Sequence, residues 1–202
     1  MKYLDKLPSH KYQWIPLLYS IIYSLKPKKI IEYGTEWGGT AITMGLALKD
    51  LYETEGHVGK VFTYDPFEVQ SKGEIGSRPQ FEATVQNIQQ FGVSDFVEVN
   101  RGDFFDFCAQ EEKDFDLLYF DIDNDGEKVL EMYEGCKQQI EAGGVVLFEG
   151  GSKTRDDVKW MNDYNKRKIE SIKDITGYKL LTPDTKYSVS IIYNPNIYNL
   201  DL

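Results

Sequence analysis

The sequence has few cysteines and no long apolar stretch. Its 202 residues include only two cysteines, Cys108 and Cys136, which are too few for a disulfide framework. No apolar run reaches the roughly 20 residues that a membrane-spanning helix needs. The amino-terminal segment also lacks the apolar core of a signal peptide, because Asp5, Lys6 and Pro8 interrupt it. We therefore expect free thiols, no contact with a membrane and a cytoplasmic location.

The chain also lacks an excess of positive charge. It contains 23 Lys and Arg against 33 Asp and Glu, which gives a formal net charge of −10. An acidic surface repels a phosphate backbone, and the densest basic stretch is the short run at residues 166–168. The charge therefore argues against a nucleic-acid partner.

A regular alternation of strand and helix patterns runs through the sequence. Short apolar runs that predict strands lie at residues 28–33, 61–65, 96–99, 115–121 and 145–149. Residues with helical spacing lie at 8–25, 39–53, 80–91, 126–141 and 153–175. Two further strands, at 178–181 and 187–193, flank Pro183 and predict a closing hairpin. This order predicts an α/β fold with a doubly wound, mostly parallel seven-stranded sheet and a C-terminal antiparallel hairpin.

The length of the chain favours one domain. Its 202 residues are near the size of a single α/β domain. We predict one domain over residues 1–202, with an N-terminal helix within residues 1–27 and a core at residues 28–193.

An acidic residue stands near the end of each of the five predicted parallel strands. These residues are Glu32, Asp65, Asp103, Asp121 and Glu149. In doubly wound sheets ligands bind at the carboxyl ends of the strands, so the acids are candidates for one binding site. Acids are also common helix caps, where they accept hydrogen bonds from backbone amides. Because the pattern recurs on successive strands, it favours a binding site.

A glycine-rich turn follows the first predicted strand and opens the next helix. It runs from Glu32 to Thr40 and contains Gly34, Gly38 and Gly39. A dinucleotide-binding fold would show Gly-x-Gly-x-x-Gly at this turn, and a P-loop would end in Gly-Lys-Ser or Gly-Lys-Thr. The turn has neither pattern. Glu32 would repel a pyrophosphate, so the turn favours a ligand that carries a positively charged group.

Taken together, these motifs resemble those of the class I S-adenosylmethionine-dependent methyltransferases, whose fold is Rossmann-like. The chain is most similar to the small catechol-type and macrolide-sugar O-methyltransferases, over residues 28–193. The glycine-rich turn resembles the first motif of the family, and residues 102–104 resemble the turn that faces adenine. Residues 121–127 resemble the acidic run after the fourth strand, and residues 143–149 resemble the fifth strand with its terminal acid.

The resemblance implies that S-adenosylmethionine is the cofactor. Asp65 would accept hydrogen bonds from the ribose hydroxyls, since a carboxylate has only acceptors. Asp103 would accept a hydrogen bond from the adenine amino group, and the backbone amide of Phe104 would donate one to the ring. The residues expected to bind the cofactor are Glu32, Gly34, Thr35, Glu36, Trp37, Gly38, Thr40, Asp65, Asp103, Phe104 and Asp121.

The resemblance also implies methyl transfer to the hydroxyl oxygen of a small molecule. The hydroxyl must lose its proton, which a carboxylate can accept directly or a divalent cation can release by lowering the hydroxyl pKa. Asp121 is the candidate for the base, for a metal ligand or for both, and Glu149 stands at the second metal position. Gly150 replaces the third metal ligand of the family pattern, so Mg²⁺ and direct base catalysis both remain open.

Several alternatives remain open from the sequence alone. The chain could bind S-adenosylmethionine without catalysis, or be a nucleotide-dependent oxidoreductase with the same type of sheet. Glu32 could only brace the turn, and Trp37 could pack under the helix instead of stacking on the ligand. The loop at residues 68–79 is expected to cover the cofactor or the acceptor, His10 is a further candidate near the acceptor, and a homodimer is open.

Overall fold

A computed structural model describes residues 6–7, 14–67, 81–110, 113–122 and 125–199. The chain divides into two compact units, Met1–Asp106 and Phe107–Leu202. The predictions for His10 and for the loop at residues 68–79 lie outside the described residues, as do Asp123 and Asn124 of the acidic run at residues 121–127. The prediction of a single domain over residues 1–202 stays a prediction.

The first unit contains three parallel strands and the helices that connect them. Its elements are α1 (Ile15–Leu25), β1 (Lys29–Tyr33), α2 (Gly39–Glu55), β2 (Lys60–Asp65), α3 (Phe81–Gln90) and β3 (Val97–Arg101), followed by α4 (Phe104–Cys108) at the boundary between the units. In the register of the strands, Ile31 pairs with Phe62 and Thr63 pairs with Val99. The carboxyl ends of β1 and β2 therefore lie at the same edge.

Small residues allow α2 to lie close against the strands. A side-chain carbon added at Gly45 would come within 2.5 Å of Cγ2 of Val97 in β3. Ala41, Ala47 and Leu48 of the same helix are fully buried. The close approach fixes α2 on the sheet, and with it the turn that precedes the helix.

The second unit continues the alternation and closes with antiparallel strands. Its elements are β4 (Leu117–Phe120), α5 (Gly126–Glu141), β5 (Val145–Glu149), α6 (Lys153–Asp156), α7 (Lys159–Asp163), a 3₁₀ turn (Ile169–Ile172), β6 (Tyr178–Leu180) and β7 (Val189–Ile192). Strands β4 and β5 are parallel, and β7 runs antiparallel to both β5 and β6. All residues of β4 and β5 are buried, as expected for strands covered on both faces.

The strands form one seven-stranded sheet in the order β3-β2-β1-β4-β5-β7-β6. The prediction of a doubly wound, mostly parallel sheet with a C-terminal antiparallel hairpin is confirmed. Within the parts of the chain that the structure describes, no helix is long and apolar enough to cross a membrane.

The prediction of one helix over residues 153–175 is wrong. The structure has two short helices, α6 and α7, and then the 3₁₀ turn. Val158 is extended between the two helices, with φ −64° and ψ 149°, and Asn165 has a φ of 49°. The carboxylate of Asp156 accepts a hydrogen bond of 3.0 Å from the backbone amide of Ile169, which fixes the folded-back chain.

Candidate functional site

The glycine-rich turn between β1 and α2 has a left-handed backbone at several positions. Gly34 and Gly38 have φ values of 98° and 84°, a region that glycine adopts without strain. The amide of Gly34 donates to the carbonyl oxygen of Tyr64 at 3.0 Å, and the amide of Gly38 donates to that of Thr35 at 2.8 Å. These bonds tie the turn to β2 and close it on itself.

Glu36 is left-handed although it is not a glycine. Its φ is 47°, a conformation that costs free energy and persists only where the surroundings impose it. The hydroxyl of Thr84 donates to the carbonyl oxygen of Glu36 at 2.8 Å. The carboxylate of Asp65 accepts from the amide of Glu36 at 3.2 Å. Both backbone groups of Glu36 are therefore held by side chains from other elements.

Glu32 is fully buried in β1 and binds hydroxyl groups through both oxygens. Its exposed fraction is 0%. The hydroxyl of Thr40 donates to Oε1, and the hydroxyl of Thr63 donates to Oε2 at 2.5 Å. The hydroxyls of Thr35 and Thr63 lie 2.5 Å apart. Because the single hydrogen of Thr63 points to Glu32, Thr35 is the donor in this last bond.

Asp65, the last residue of β2, holds the backbone on either side of it. One carboxylate oxygen accepts from the amide of Phe67 at 2.9 Å, and the other accepts from the amide of Glu36 at 3.2 Å. A carboxylate oxygen can accept more than one hydrogen bond. The geometry therefore leaves acceptor capacity for the ribose diol that the sequence predicts as its ligand.

Asp103 caps the short helix α4. Its Oδ1 accepts from the backbone amides of Phe105 at 2.7 Å and Asp106 at 3.2 Å. Phe104 is buried and makes an edge contact with Tyr33, with ring centroids 6.1 Å apart. Tyr33 in turn stacks on Tyr64 at 5.1 Å. An aromatic cluster therefore adjoins the predicted adenine side of the site.

Trp37 lies at the surface of the first unit. The residue is 38% exposed, and the alternative that it packs under the helix is not tested by this exposure. Its carbonyl oxygen accepts a hydrogen bond of 3.0 Å from the side-chain amide of Asn87 in α3. Its stacking on a ligand stays a prediction.

In the second unit, Asp121 and Glu149 follow neighbouring strand ends. Phe120 pairs with Phe148 in the parallel register of β4 and β5, so each acid comes directly after one residue of this pair. Asp121 is partly buried. Glu149 is 6% exposed, and its Oε1 lies 3.3 Å from a guanidinium nitrogen of Arg155.

The fit of a divalent cation to these acids is poor. Over residues 6–7, 14–67, 81–110, 113–122 and 125–199, no group of three or more His, Cys, Asp or Glu could hold a metal ion. Glu149 already contacts the cation Arg155. Asp125, which follows β4 on the chain, pairs with Lys166 at 3.3 Å. Metal binding by Asp121 and Glu149 stays a prediction from the sequence.

The side chains that hold the turn from other elements were not predicted from the sequence. Thr63 and Thr84 are both fully buried and bind Glu32 and the backbone of Glu36. Thr63 is a polar residue within the apolar strand β2, which is a signal that the sequence carried. Thr84 carries no such signal, because its role depends on where α3 packs.

A glycine turn between the first strand and the next helix, with acids on neighbouring strands, is typical of Rossmann-like α/β enzymes that bind nucleoside-containing ligands. A family model described as "Methyltransferase domain" matches residues 31–149, which is more than half of the chain. The chain belongs to this methyltransferase family. The prediction of a methyltransferase is therefore confirmed. No curated protein sequence matches the chain.

Solved structures share the fold at low sequence identity. Rv0187 from MTB, in a cofactor-bound crystal structure, is 19% identical with a TM-score of 0.61, over 96% of this chain and 87% of that chain. An O-methyltransferase from Bacillus cereus in complex with SAH is 17% identical with a TM-score of 0.59, over 94% of this chain and 86% of that chain. The O-methyltransferase TomG from Streptomyces achromogenes, in complex with SAM, has the same identity and TM-score, over 94% of this chain and 84% of that chain.

Proposed function

We propose that this methyltransferase transfers a methyl group from S-adenosylmethionine to the hydroxyl oxygen of a small molecule. The observation that carries the proposal is the turn between β1 and α2, which Glu32 and Asp65 hold in place. The proposal also follows from the membership of the chain in a methyltransferase family. Similar folds crystallised with SAM or SAH support the choice of cofactor. A cytoplasmic location and a homodimer remain predictions from the sequence.

The first unit would bind the cofactor. Asp65 would accept from the ribose hydroxyls with the acceptor capacity that its two amide contacts leave. Asp103 would face the adenine while its Oδ1 caps α4. Glu32 acts through the turn, because its oxygens bind Thr40 and Thr63. It is therefore a positioning residue for the amides of the turn.

Asp121 would accept the proton of the acceptor hydroxyl. When bound, the cofactor supplies an activated methyl group on a sulfonium, so the protein mainly has to align the acceptor and exclude water. The acceptor oxygen would form the new bond to the methyl carbon, and the electron pair of the broken carbon–sulfur bond would stay on sulfur. The proton moves from the hydroxyl to the Asp121 carboxylate and then to water.

The first experiment is a calorimetric titration of the purified protein with S-adenosylhomocysteine. We expect one-to-one binding to the wild type and binding weaker by about tenfold or more in Asp65→Asn, because a hydrogen bond to a charged group contributes about 1.5–3 kcal/mol. Asp95→Asn is the control, since Asp95 is exposed in the same unit. Absence of binding to folded, cofactor-free wild type would contradict the proposal, and a dinucleotide titration would then test the oxidoreductase alternative.

The role of Asp121 is tested with an acceptor found in a panel of hydroxyl compounds. At saturating S-adenosylmethionine, Asp121→Asn should lower kcat by about 10²-fold or more, the range expected for loss of a general base. Asp95→Asn again serves as the control. Full methyl transfer by Asp121→Asn would rule out Asp121 as the base. Cofactor binding with no transfer to any acceptor would favour the non-catalytic alternative.

A further inference from the structure

We infer that Asp125 and Glu149, two acids that follow β4 or end β5, are each paired with a basic side chain of the protein, and that Arg155 excludes a divalent cation from Glu149. Methyl transfer by this chain is then independent of metal. The inference rests on the proposed function, because it concerns how the acceptor hydroxyl is activated. Asp121 then acts as a base without a metal beside it.

The contact between Glu149 and Arg155 is largely shielded from water. The side chains are 6% and 14% exposed, and Oε1 of Glu149 lies 3.3 Å from a guanidinium nitrogen of Arg155. The guanidinium carbon also lies 5.5 Å from the ring centroid of Trp160, over the indole face. A cation between a buried carboxylate and an aromatic ring is held on two sides, and a second cation beside the same carboxylate would be repelled.

The two residues after Glu149 are glycines and supply no side-chain ligand to a metal site. Gly150 and Gly151 have φ values of 115° and 98°, where other residues are strained. A side-chain carbon at Gly151 would lie 2.2 Å from Oγ of Ser190 and 2.4 Å from the hydroxyl of Tyr178. Gly150, which stands where the family pattern has its third metal ligand, therefore lies in a tight loop.

Hydrogen bonds hold this loop and place Arg155. The hydroxyl of Ser190 donates to the carbonyl oxygen of Gly150 at 2.8 Å. The hydroxyl of Ser152 donates to the carbonyl oxygen of Thr185 at 2.6 Å and accepts from the amide of Arg155 at 3.0 Å. Because Ser152 is buried, the first turn of α6 starts at a defined point. The hydrogen bonds of the loop thereby position the backbone of Arg155.

A second acid near β4 has its own basic partner. Oδ2 of Asp125 lies 3.3 Å from the ammonium nitrogen of Lys166, with both side chains mostly buried. Oδ1 of Asp125 accepts from the amide of Glu127 and caps α5. Both carboxylate oxygens of Asp125 therefore have partners, one in the helix cap and the other in the ion pair. Asp125 and Glu149 therefore each contact a cationic side chain.

The test measures Mn²⁺ binding by electron paramagnetic resonance, on protein saturated with S-adenosylhomocysteine. We expect no one-to-one Mn²⁺ site in the wild type at submillimolar concentrations. Arg155→Met removes the charge but keeps most of the length, and it should bind Mn²⁺ at least about tenfold more tightly than the wild type, because the carboxylate of Glu149 is uncovered. The matched control is Lys159→Met, which breaks the exposed ion pair of Lys159 with Asp163.

Three results would overturn the inference. The first is a one-to-one Mn²⁺ site in the wild type, and the second is an unchanged Mn²⁺ affinity in folded Arg155→Met. Arg155→Lys keeps the positive charge and should continue to exclude Mn²⁺, so stoichiometric binding to that variant would also count against the inference. The wild-type measurement keeps the test decisive if Arg155→Met does not fold. One-to-one binding of S-adenosylhomocysteine is measured separately, so failure of the proposed function is distinguishable from failure of this inference.

Discussion

Glu32 shows how one buried side chain can organise the turn between β1 and α2. Its carboxylate is fully buried, and its oxygens accept hydrogen bonds from Thr40 in α2 and Thr63 in β2. The acid thus joins the strand on which it lies to the next strand and to the helix after the turn. A buried carboxylate is costly unless it is hydrogen-bonded. The alternative that Glu32 braces the turn is the one supported by its contacts.

Glu32→Gln should lower both the stability and the cofactor affinity. In the wild type the hydroxyls of Thr40 and Thr63 both donate to Glu32. The NH₂ group of glutamine would face one of them, so that hydrogen bond would be lost or the hydroxyl would have to accept instead of donate. We expect the free energy of unfolding to fall by about 1–3 kcal/mol. Urea unfolding and calorimetry with S-adenosylhomocysteine measure the two effects. Glu53→Gln, at an exposed site on α2, should change neither, and equal behaviour of the two variants would contradict the role of Glu32.

The residues of the site differ in how well the sequence predicted them. The position of the acids near strand ends followed from the alternation of strands and glycines, and the structure has Asp65 and Glu149 as the last residues of β2 and β5. Which groups those acids bind did not follow. Arg155, which contacts Glu149, follows two left-handed glycines and a cap by Ser152, and contacts of this kind depend on how the loop folds.

At the scale of an element, α2 starts at a left-handed glycine that is also crowded. Gly38 has a φ of 84°, and a side-chain carbon there would lie 3.3 Å from Cγ2 of Thr84 and 3.4 Å from Cδ1 of Ile88. The other end of the helix provides a comparison. Gly56 has a φ of 71°, and nothing lies within 4 Å of a side-chain carbon placed there.

Gly38→Ala should weaken cofactor binding, whereas Gly56→Ala should not. Both variants place a side chain in the left-handed region, which costs about 1–2 kcal/mol of stability. Only Gly38→Ala also pushes against α3 and therefore shifts the turn. Thermal unfolding together with titration of S-adenosylhomocysteine separates the two effects. If both variants bound the ligand as the wild type does, the position of the turn would not depend on Gly38.

The segment at residues 153–175 shows why element boundaries escape the sequence. Val158, Met161, Ile169 and Ile172 have helical spacing, which predicts one helix. In the structure Met161, Ile169 and Ile172 are buried, but from two short elements. The bond from the amide of Ile169 to Asp156 joins residues 13 positions apart. A spacing pattern reports which side chains are buried and does not report such a non-local bond.

At the scale of the whole molecule, buried ionisable groups make stability depend on pH. Burial raises the pKa of the Cys136 thiol from 9.0 to about 12. Burial also raises the pKa of Tyr19, with the hydrogen bond to Asp50 as the second cause. Both groups stay protonated in the folded chain at a pH where they ionise in the unfolded chain. Their contribution to the free energy of unfolding is complete below about pH 9. It is lost as the pH rises toward the pKa values of these groups in the folded chain.

The free energy of unfolding should therefore fall above about pH 9. The slope from one such thiol is at most about 1.4 kcal/mol per pH unit. Cys136→Ala should be less stable at neutral pH because it leaves a cavity, but its stability should fall less steeply above pH 9. Cys108→Ala is the control at the half-buried thiol. Urea unfolding across this range tests the prediction, and parallel curves for wild type and Cys136→Ala would refute it.

The fold as a whole was more predictable than the site. Strands β4 and β5 are short, fully buried apolar runs that the sequence shows plainly. The alternation of strands with helices then leaves few possible topologies. The closing hairpin was predicted from Pro183 between two apolar runs, and β6 and β7 pair as expected. Such features depend on residues near one another in sequence. The ion pairs and hydroxyl contacts of the site depend on several segments at once.

The hydrogen bonds around Glu32 have a direction, which runs from Thr35 through Thr63 to the carboxylate. Substitutions that look equally mild by size should consequently differ in effect. Valine has nearly the shape of threonine, yet at position 63 it would leave one acceptor of Glu32 facing a methyl group and the hydroxyl of Thr35 without its acceptor. Serine is smaller, but its hydroxyl can accept from Thr35 and donate to Glu32. Shape is therefore the wrong measure of similarity at this position, and the ability to donate and accept at once is the right one.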